Sequence, residues 1–247
     1  MTAEEKNRAA ERLSASPLLN VDMLEALSRD AAEAVFFSGA DAVLLKLKSY
    51  DIYMMYAPDD MEAARALASL LPEDRGFDVV GRGAACAAVL RGTGRFFHAR
   101  PCSQVVWTRK DPPPESPSPP PIDIRPLTQE YAETAARRYS LFPDSVDYMR
   151  FLIGEGRMFG AFWAEEFCGY IGTHEEGSMG LLEVFPEYQR RGVGSALSRW
   201  LIARELALGH IPYGQILEGN FRSEKLWEKL GSAFAPGRII WFSAWDD

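Results

Sequence analysis

The residues with the clearest chemical purpose lie in Pro186-Glu-Tyr-Gln-Arg-Arg-Gly-Val-Gly-Ser-Ala-Leu197, directly after the apolar run Leu181-Leu-Glu-Val-Phe185. An extended run stopped by proline, a basic glycine-containing turn and the start of a helix together make a seat for phosphate oxygens. The first-turn amides of a helix have no intrahelical partner and present partial positive charge to an anion. Gly192 lets the backbone come close, and Gln189, Arg190 and Arg191 bring donors and charge ahead of it. Val193, Gly194, Ser195 and Ala196 continue the run of amides that could hold the anion.

Proton chemistry has two candidates nearby. Alternation along the strand puts Met179, Leu181, Glu183 and Phe185 on one face, and a carboxylate in that apolar row is expected at a cleft, as a general base. The plainer alternative is a solvent-facing or salt-bridged glutamate with no chemical task. His174, beside Glu175 and Glu176 in the preceding loop, competes for the same role; otherwise it is an exposed loop histidine. No metal is implied. Cys86, Cys102 and Cys168 lack metal-site spacing, His98, His174 and His210 are dispersed, and Cys168 reads as a small buried residue.

The elements that must position these residues fall in two halves around Pro112-Pro-Pro-Glu-Ser-Pro-Ser-Pro-Pro-Pro121, an extended spacer that neither helix nor sheet accommodates. In the first half, Asn20 is expected to cap a helix over 21–35, and Ala42 to Met55 reads as a hairpin turned at Lys48-Ser-Tyr-Asp51. Asp59 and Glu62 form a capping box for a helix carrying Met61, Ala64 and Leu67. Short strands are expected over 77–80, 84–90 and 102–108. The second half reads as a strand at 122–125, helices near 129–139 and 145–155, and a hairpin over 158–163 and 167–173. A strand at 179–185, a helix at 195–208, a strand at 213–217, a helix at 221–230 and a final strand from Arg238 complete it.

The chain has 247 residues, 47% of them hydrophobic, and carries 35 acidic against 27 basic side chains for a net charge of −8. That balance disfavours a broad nucleic-acid surface, and no apolar run nears the ~20 residues needed to cross a bilayer. A polar, acidic start and an odd, scattered set of cysteines fit a cytoplasmic protein.

The second half, with its β-α-α-β-β-β-α-β-α-β order and the Gln189 to Gly194 turn, resembles the GCN5-related N-acetyltransferase (GNAT) superfamily. A separate match lies in Asn220-Phe-Arg-Ser-Glu-Lys-Leu-Trp-Glu-Lys-Leu-Gly231, and Ile211-Pro-Tyr-Gly-Gln-Ile-Leu-Glu-Gly-Asn220 looks most like the glycine N-acyltransferase-like branch. The resemblance implies a mixed α/β fold with a central sheet and acetyl-CoA or coenzyme A as cofactor. It also implies a degenerate GNAT-like domain over 12–111, a linker over 112–121 and a catalytic domain over 122–247. The backbone of Val184 and Phe185 would meet the pantetheine arm between the strands at 179–185 and 213–217. Amides from Arg191 to Ala196 would hold the pyrophosphate, and Asn220 and Ser223 would meet the pantetheine and the nucleotide end. Many members carry, seven residues after that asparagine, a tyrosine that protonates the departing thiolate. Trp227 stands there in this chain, and an indole is no general acid.

The expected function is transfer of an acetyl group from acetyl-CoA to a primary amine of a small molecule or peptide by direct attack. The alternatives are an amino-acid, glycine-like, N-acyltransferase using a longer acyl-CoA, and a non-catalytic acyl-CoA-binding or interaction protein. The absence of a Gly-x-x-x-x-Gly-Lys-Ser/Thr run argues against a P-loop ATPase. Neither nucleic acid nor membrane is an expected partner, and the chain is expected to be a monomer or homodimer.

Overall fold

The computed structural model describes residues 1–48, 50–117, 119–139 and 145–245. Ser49 of the expected hairpin turn and Ser118 of the spacer lie outside the described residues. Helices α1 (Ala3–Leu13) and α2 (Val21–Ser28) precede strands β1 (Ala32–Ser38), β2 (Ala42–Leu47) and β3 (Ile52–Tyr56). Next come α3 (Met61–Ala68), β4 (Asp78–Arg82), α4 (Ala84–Gly92) and β5 (His98–Val106). After the spacer follow β6 (Ile122–Pro126), α5 (Ala132–Arg138), α6 (Val146–Gly154), β7 (Met158–Trp163), β8 (Glu166–Thr173) and β9 (Met179–Val184). The chain ends with α7 (Val193–Ala207), β10 (Tyr213–Leu217), α8 (Phe221–Leu230) and β11 (Ala233–Ser243). No helix among the described residues is long and apolar enough to cross a membrane.

Two compact units emerge. One comprises Met1–Val106, Gln215–Trp227 and Ser232–Asp247; the other comprises Trp107–Gly214 and Glu228–Gly231. In the first unit the strands run β1-β2-β3-β4-β11-β5, so the chain's last strand lies antiparallel between β4 and β5. There β3 and β4 are parallel and paired over five positions, from Ile52 opposite Asp78 to Tyr56 opposite Arg82. Ala64 and Leu67 of α3 and Cys86 and Leu90 of α4 pack with Val79 and Phe242 in one cluster. Leu13, Met23 and Leu27 of α1 and α2 pack with Leu45, Met54 and Val80 in another. That second layer also encloses an ion pair between Arg82 Nη2 and Asp22 Oδ2 at 2.7 Å, both side chains fully buried. Gln215 Nε2 donates to Asp22 and to Gln104, and Trp241 Nε1 donates to Gln215. Removing one partner of such a buried pair typically costs about 3–5 kcal/mol, because the other charge is left uncompensated.

The second unit is an antiparallel run β6-β7-β8-β9, with β10 joined to β9 in parallel through Gly214 opposite Met179. Under α5 and α6 lies a cluster of Ala132, Ala135, Met149, Leu152, Phe162, Tyr170, Leu181 and Phe185. The architecture is the expected mixed α/β fold about a central sheet.

Several elements depart from the sequence expectations, each for a local reason. The helix expected over 21–35 stops at Ser28, and β1 takes over the β-branched and aromatic tail Val35-Phe-Phe37. Asn20 occupies the N-cap position of α2 without capping it, its Nδ2 donating instead to the Leu13 carbonyl. Asp60, not Asp59, caps α3, accepting from the Ala63 amide at 2.8 Å, while Asp59 turns through φ 47°. The strand expected at 84–90 is helix α4. Its alanines favour a helix, and Gly83 at φ 88° supplies the sharp entry. Helix α1, with a Thr2–Glu5 capping box, was signalled by Thr2-Ala-Glu-Glu5 but not anticipated. The last strand begins at Ala233, five residues before Arg238, with a register break between Phe234 and Arg238 that absorbs Pro236 and Gly237.

Candidate active site

Strand β9, its exit and the start of α7 are built as one piece in the second unit. After Phe185 the chain makes a short 3₁₀ turn over Pro186–Tyr188, then passes through Arg190 at φ 62° and Gly192 at φ 86° before α7 begins at Val193. Gly192 is the N-cap and offers no side chain to the helix. The Ala196 amide donates to the Gly192 carbonyl at 3.0 Å, so it is engaged in the helix. The amides of Val193, Gly194 and Ser195 stand ahead of the first intrahelical bond, where an anion can meet them. This narrows the expected set of amides, 191 to 196, by removing its last member. Gln189 Nε2 donates to the Val184 carbonyl at 2.9 Å, pinning the turn to the end of β9. Arg190, Arg191 and Gly192 are exposed, as a seat for a bulky anion requires.

The β9 backbone itself is irregular. Tyr170 faces Glu183 and Gly172 faces Gly180, so β9 uses three steps where β8 uses two, and the extra residue is accommodated at Leu181, φ 54°. The expected row Met179, Leu181, Glu183, Phe185 is therefore broken on its Met179 side, because a bulge inverts the alternation beyond it. Leu181 and Phe185 stay on the α5/α6 side with Tyr170. Phe185 cannot offer its amide to a ligand: that N–H donates to the Cys168 carbonyl at 3.0 Å. Neighbouring residues of a strand address opposite edges, so Val184 turns its N–H away from β8. Its carbonyl is the one that Gln189 holds.

Glu183 is half-buried and sits among tyrosines. It stands directly across from Tyr170, whose hydroxyl donates to the Ala135 carbonyl of α5 at 2.8 Å. Tyr139 lies one helical turn beyond Ala135. Burial, and then the Glu183 charge, push its hydroxyl up to about 12. Tyr170 is raised by burial first, then by Glu183 and Tyr139. Glu183 thus lies near two phenols that stay protonated at neutral pH. Neither tyrosine is recognisable from sequence as a neighbour of Glu183: Tyr170 reads as a strand residue and Tyr139 as the end of a helix.

His174 is not the exposed loop residue of the plainer expectation. Its Nδ1 lies 2.9 Å from the Tyr148 hydroxyl, and its Nε2 would stand 2.5 Å from a Cβ at Gly180, so the ring rests against that glycine. Burial pushes its pKa down to about 4, which keeps the imidazole neutral but makes it a weak base. In the same hairpin Ser178 Oγ bonds Glu176, and Tyr213 donates to the Glu176 carbonyl at 2.7 Å. Cys168 is buried, its thiol pushed up to about 11 by burial, which suits packing rather than nucleophilic chemistry. Among the described residues no group of three His, Cys, Asp or Glu could hold a metal ion.

Asn220, Ser223 and Trp227 fall in the first unit. Asn220 Oδ1 accepts from the Ser223 amide at 3.3 Å at the start of α8, and Trp227 is buried on that helix. The parallel pair of that unit offers no comparable seat. Its β3 and β4 are closed over five positions, and the Asp60 carboxylate occupies the start of α3.

Residues 123–232 match the model of the Acetyltransferase (GNAT) family. Among solved structures, a Drosophila protein aligns at 16% identity and a TM-score of 0.74, over 98% of this chain and 96% of its own. A putative GNAT acetyltransferase from Novosphingobium aromaticivorans aligns at 18% identity and a TM-score of 0.55, covering 92% of this chain and 95% of that one. A GCN5-related N-acetyltransferase from Kribbella flavida aligns at 12% and 0.58, over 94% and 97%. At these identities the likeness is one of fold. No curated protein matches the sequence.

Proposed function

We propose that the chain is an N-acetyltransferase that moves an acetyl group from acetyl-CoA to a primary amine of a small molecule or peptide. One observation carries the reading. Left-handed Gly192 opens α7 with the Val193, Gly194 and Ser195 amides ahead of its first hydrogen bond, directly after the strand that bears Glu183. Three donors, the positive end of a helix and two exposed arginines fit a pyrophosphate dianion. Bound acetyl-CoA supplies an acyl group on a good leaving thiolate. The Val184 N–H would hold the pantetheine arm, and the Val193 to Ser195 amides the pyrophosphate. Glu183 would take the proton that the attacking ammonium must lose, leaving a neutral nitrogen to form the new bond.

The finer family reading is also part of this proposal. Both units order antiparallel strands and then a helix crossing to a parallel strand, which supports a first unit derived from the same fold and silent in cofactor binding. Trp227, without a hydroxyl, favours a second reading, an acyl-CoA-binding protein without turnover. A glycine-like N-acyltransferase with a longer donor would need room beside Phe185. That ring instead lies 5.0 Å from Phe167, edge-on, within a buried aromatic cluster. A screen of amines with acetyl-CoA, followed by free-thiol release, tests the proposal. Amine-dependent thiol release supports it, and the absence of thiol release with every amine tested sinks it in favour of the non-catalytic reading.

A further inference from the structure

The anion-seat turn carries two residues in left-handed conformations, Arg190 and Gly192, within three positions, and Arg190 is not a glycine. Such a backbone holds its shape only where neighbours over-determine it. The neighbours come from the end of β7, the proline spacer and the short turn just ahead of the seat. The Arg191 guanidinium lies over the Trp163 ring at 5.6 Å and over the Tyr188 ring at 5.8 Å, and those two rings lie 6.2 Å apart. Trp163 ends β7, directly across from Ile122, the first residue of β6. Just before it, Pro120 of the proline spacer brings Cδ to 3.7 Å from where a Cβ of Gly192 would stand, and the Pro120 carbonyl accepts from the Ile122 amide at 2.8 Å. The end of β7, the end of the spacer and the turn before α7 thus converge on two consecutive residues of the seat.

We propose that Trp163 and Pro120 are positioning residues for the coenzyme A seat, Trp163 acting through Arg191 and Pro120 through Gly192. The inference rests on the acetyl-CoA reading above. The proline spacer is then part of the site, since its last turn fixes the N-cap from which the three amides point. Arg191 is a latch, its planar guanidinium held by two rings; a lysine would keep the charge but lose the stacking. A guanidinium over rings at an exposed site corresponds to about a 2- to 5-fold change in an equilibrium constant.

The test is a double-variant cycle on coenzyme A affinity, measured by calorimetry on the full chain, with Trp163→Leu, Arg191→Ala and both together. Trp163→Leu is expected to weaken binding by about 2- to 5-fold, with an unchanged melting temperature. The double variant is expected to bind no more weakly than Arg191→Ala alone, because the ring acts through the arginine. Pro120→Gly should raise the dissociation constant by a similar factor and the KM for acetyl-CoA with it, leaving kcat in place. Additive losses in the cycle, or Trp163→Leu and Pro120→Gly proteins that bind as the parent does, overturn the inference. A parent chain that fails to bind coenzyme A instead overturns the acetyl-CoA reading itself, so the two failures are separable. If Trp163→Leu lowers the melting temperature, Arg191→Lys gives the same comparison without disturbing β7.

Discussion

Tyr170 and Glu183 face each other across β8 and β9, and Tyr139 joins them from the end of α5. The one carboxylate on the α5/α6 face of β9 is thereby surrounded by phenols that stay protonated at neutral pH. Replacing Glu183 with Gln keeps the volume and removes the proton acceptor. Turnover should fall about 10²- to 10⁴-fold, the usual range for loss of a general base, while coenzyme A affinity stays in place. The loss should be largest below the amine's pKa, where deprotonation limits the rate. Steady-state kinetics across pH check this; a rate within a few-fold of the parent at pH 7 would remove Glu183 from the chemistry.

His174 makes a prediction about acid stability. Its pKa is lowered from 6.5 to about 4 by burial, so the unfolded chain takes up a proton that the folded chain refuses. The stability contributed by keeping this ring neutral is complete above about pH 6.5 and is lost as pH falls towards about 4. Urea unfolding at pH 7 and pH 4.5 should show a larger acid-induced loss for the parent than for His174→Gln. A histidine NMR titration with His174 near 6.5 would contradict the burial assigned to it.

The chain's last strand is structural to the first unit. Because β11 runs between β4 and β5, ending the chain at Gly231 removes a central strand and leaves two strand edges unpaired. That truncation should abolish cooperative unfolding of the first unit. The fragment 122–247, in which β11 has neither partner, should be less stable and less active than the full chain. Circular dichroism melts and thiol-release assays read both; a fragment matching the full chain would be inconsistent with this arrangement.

Much of this was legible in the sequence where a local signal decides the conformation. The glycine turn, the strand before it and the helix after it are read from residue types alone, because Gly192 must take a left-handed φ and Pro186 must end a strand. What escaped depends on contacts between residues distant in sequence. The bulge at Leu181 follows from how β9 pairs with β8, and no property of Leu181 announces it. The Phe185 amide is withdrawn by the Cys168 carbonyl, Tyr170 faces Glu183 only once β8 pairs with β9, and Tyr139 joins them from the end of α5. The helix at 84–92 was misread for a different reason: an alanine-rich apolar run is ambiguous until packing chooses, and Gly83 chose a helix.

Calorimetric titration of the full chain with coenzyme A asks whether the start of α7 seats the cofactor. Gly192 turns at φ 86°, a conformation that a β-branched side chain resists, although a Cβ there would meet only Pro120 at 3.7 Å. Saturable one-to-one binding to the parent is expected, and at least about tenfold weaker binding to Gly192→Val, since a shift of the N-cap misdirects the three amides together. No binding by the parent, or equal affinity in Gly192→Val, would contradict it.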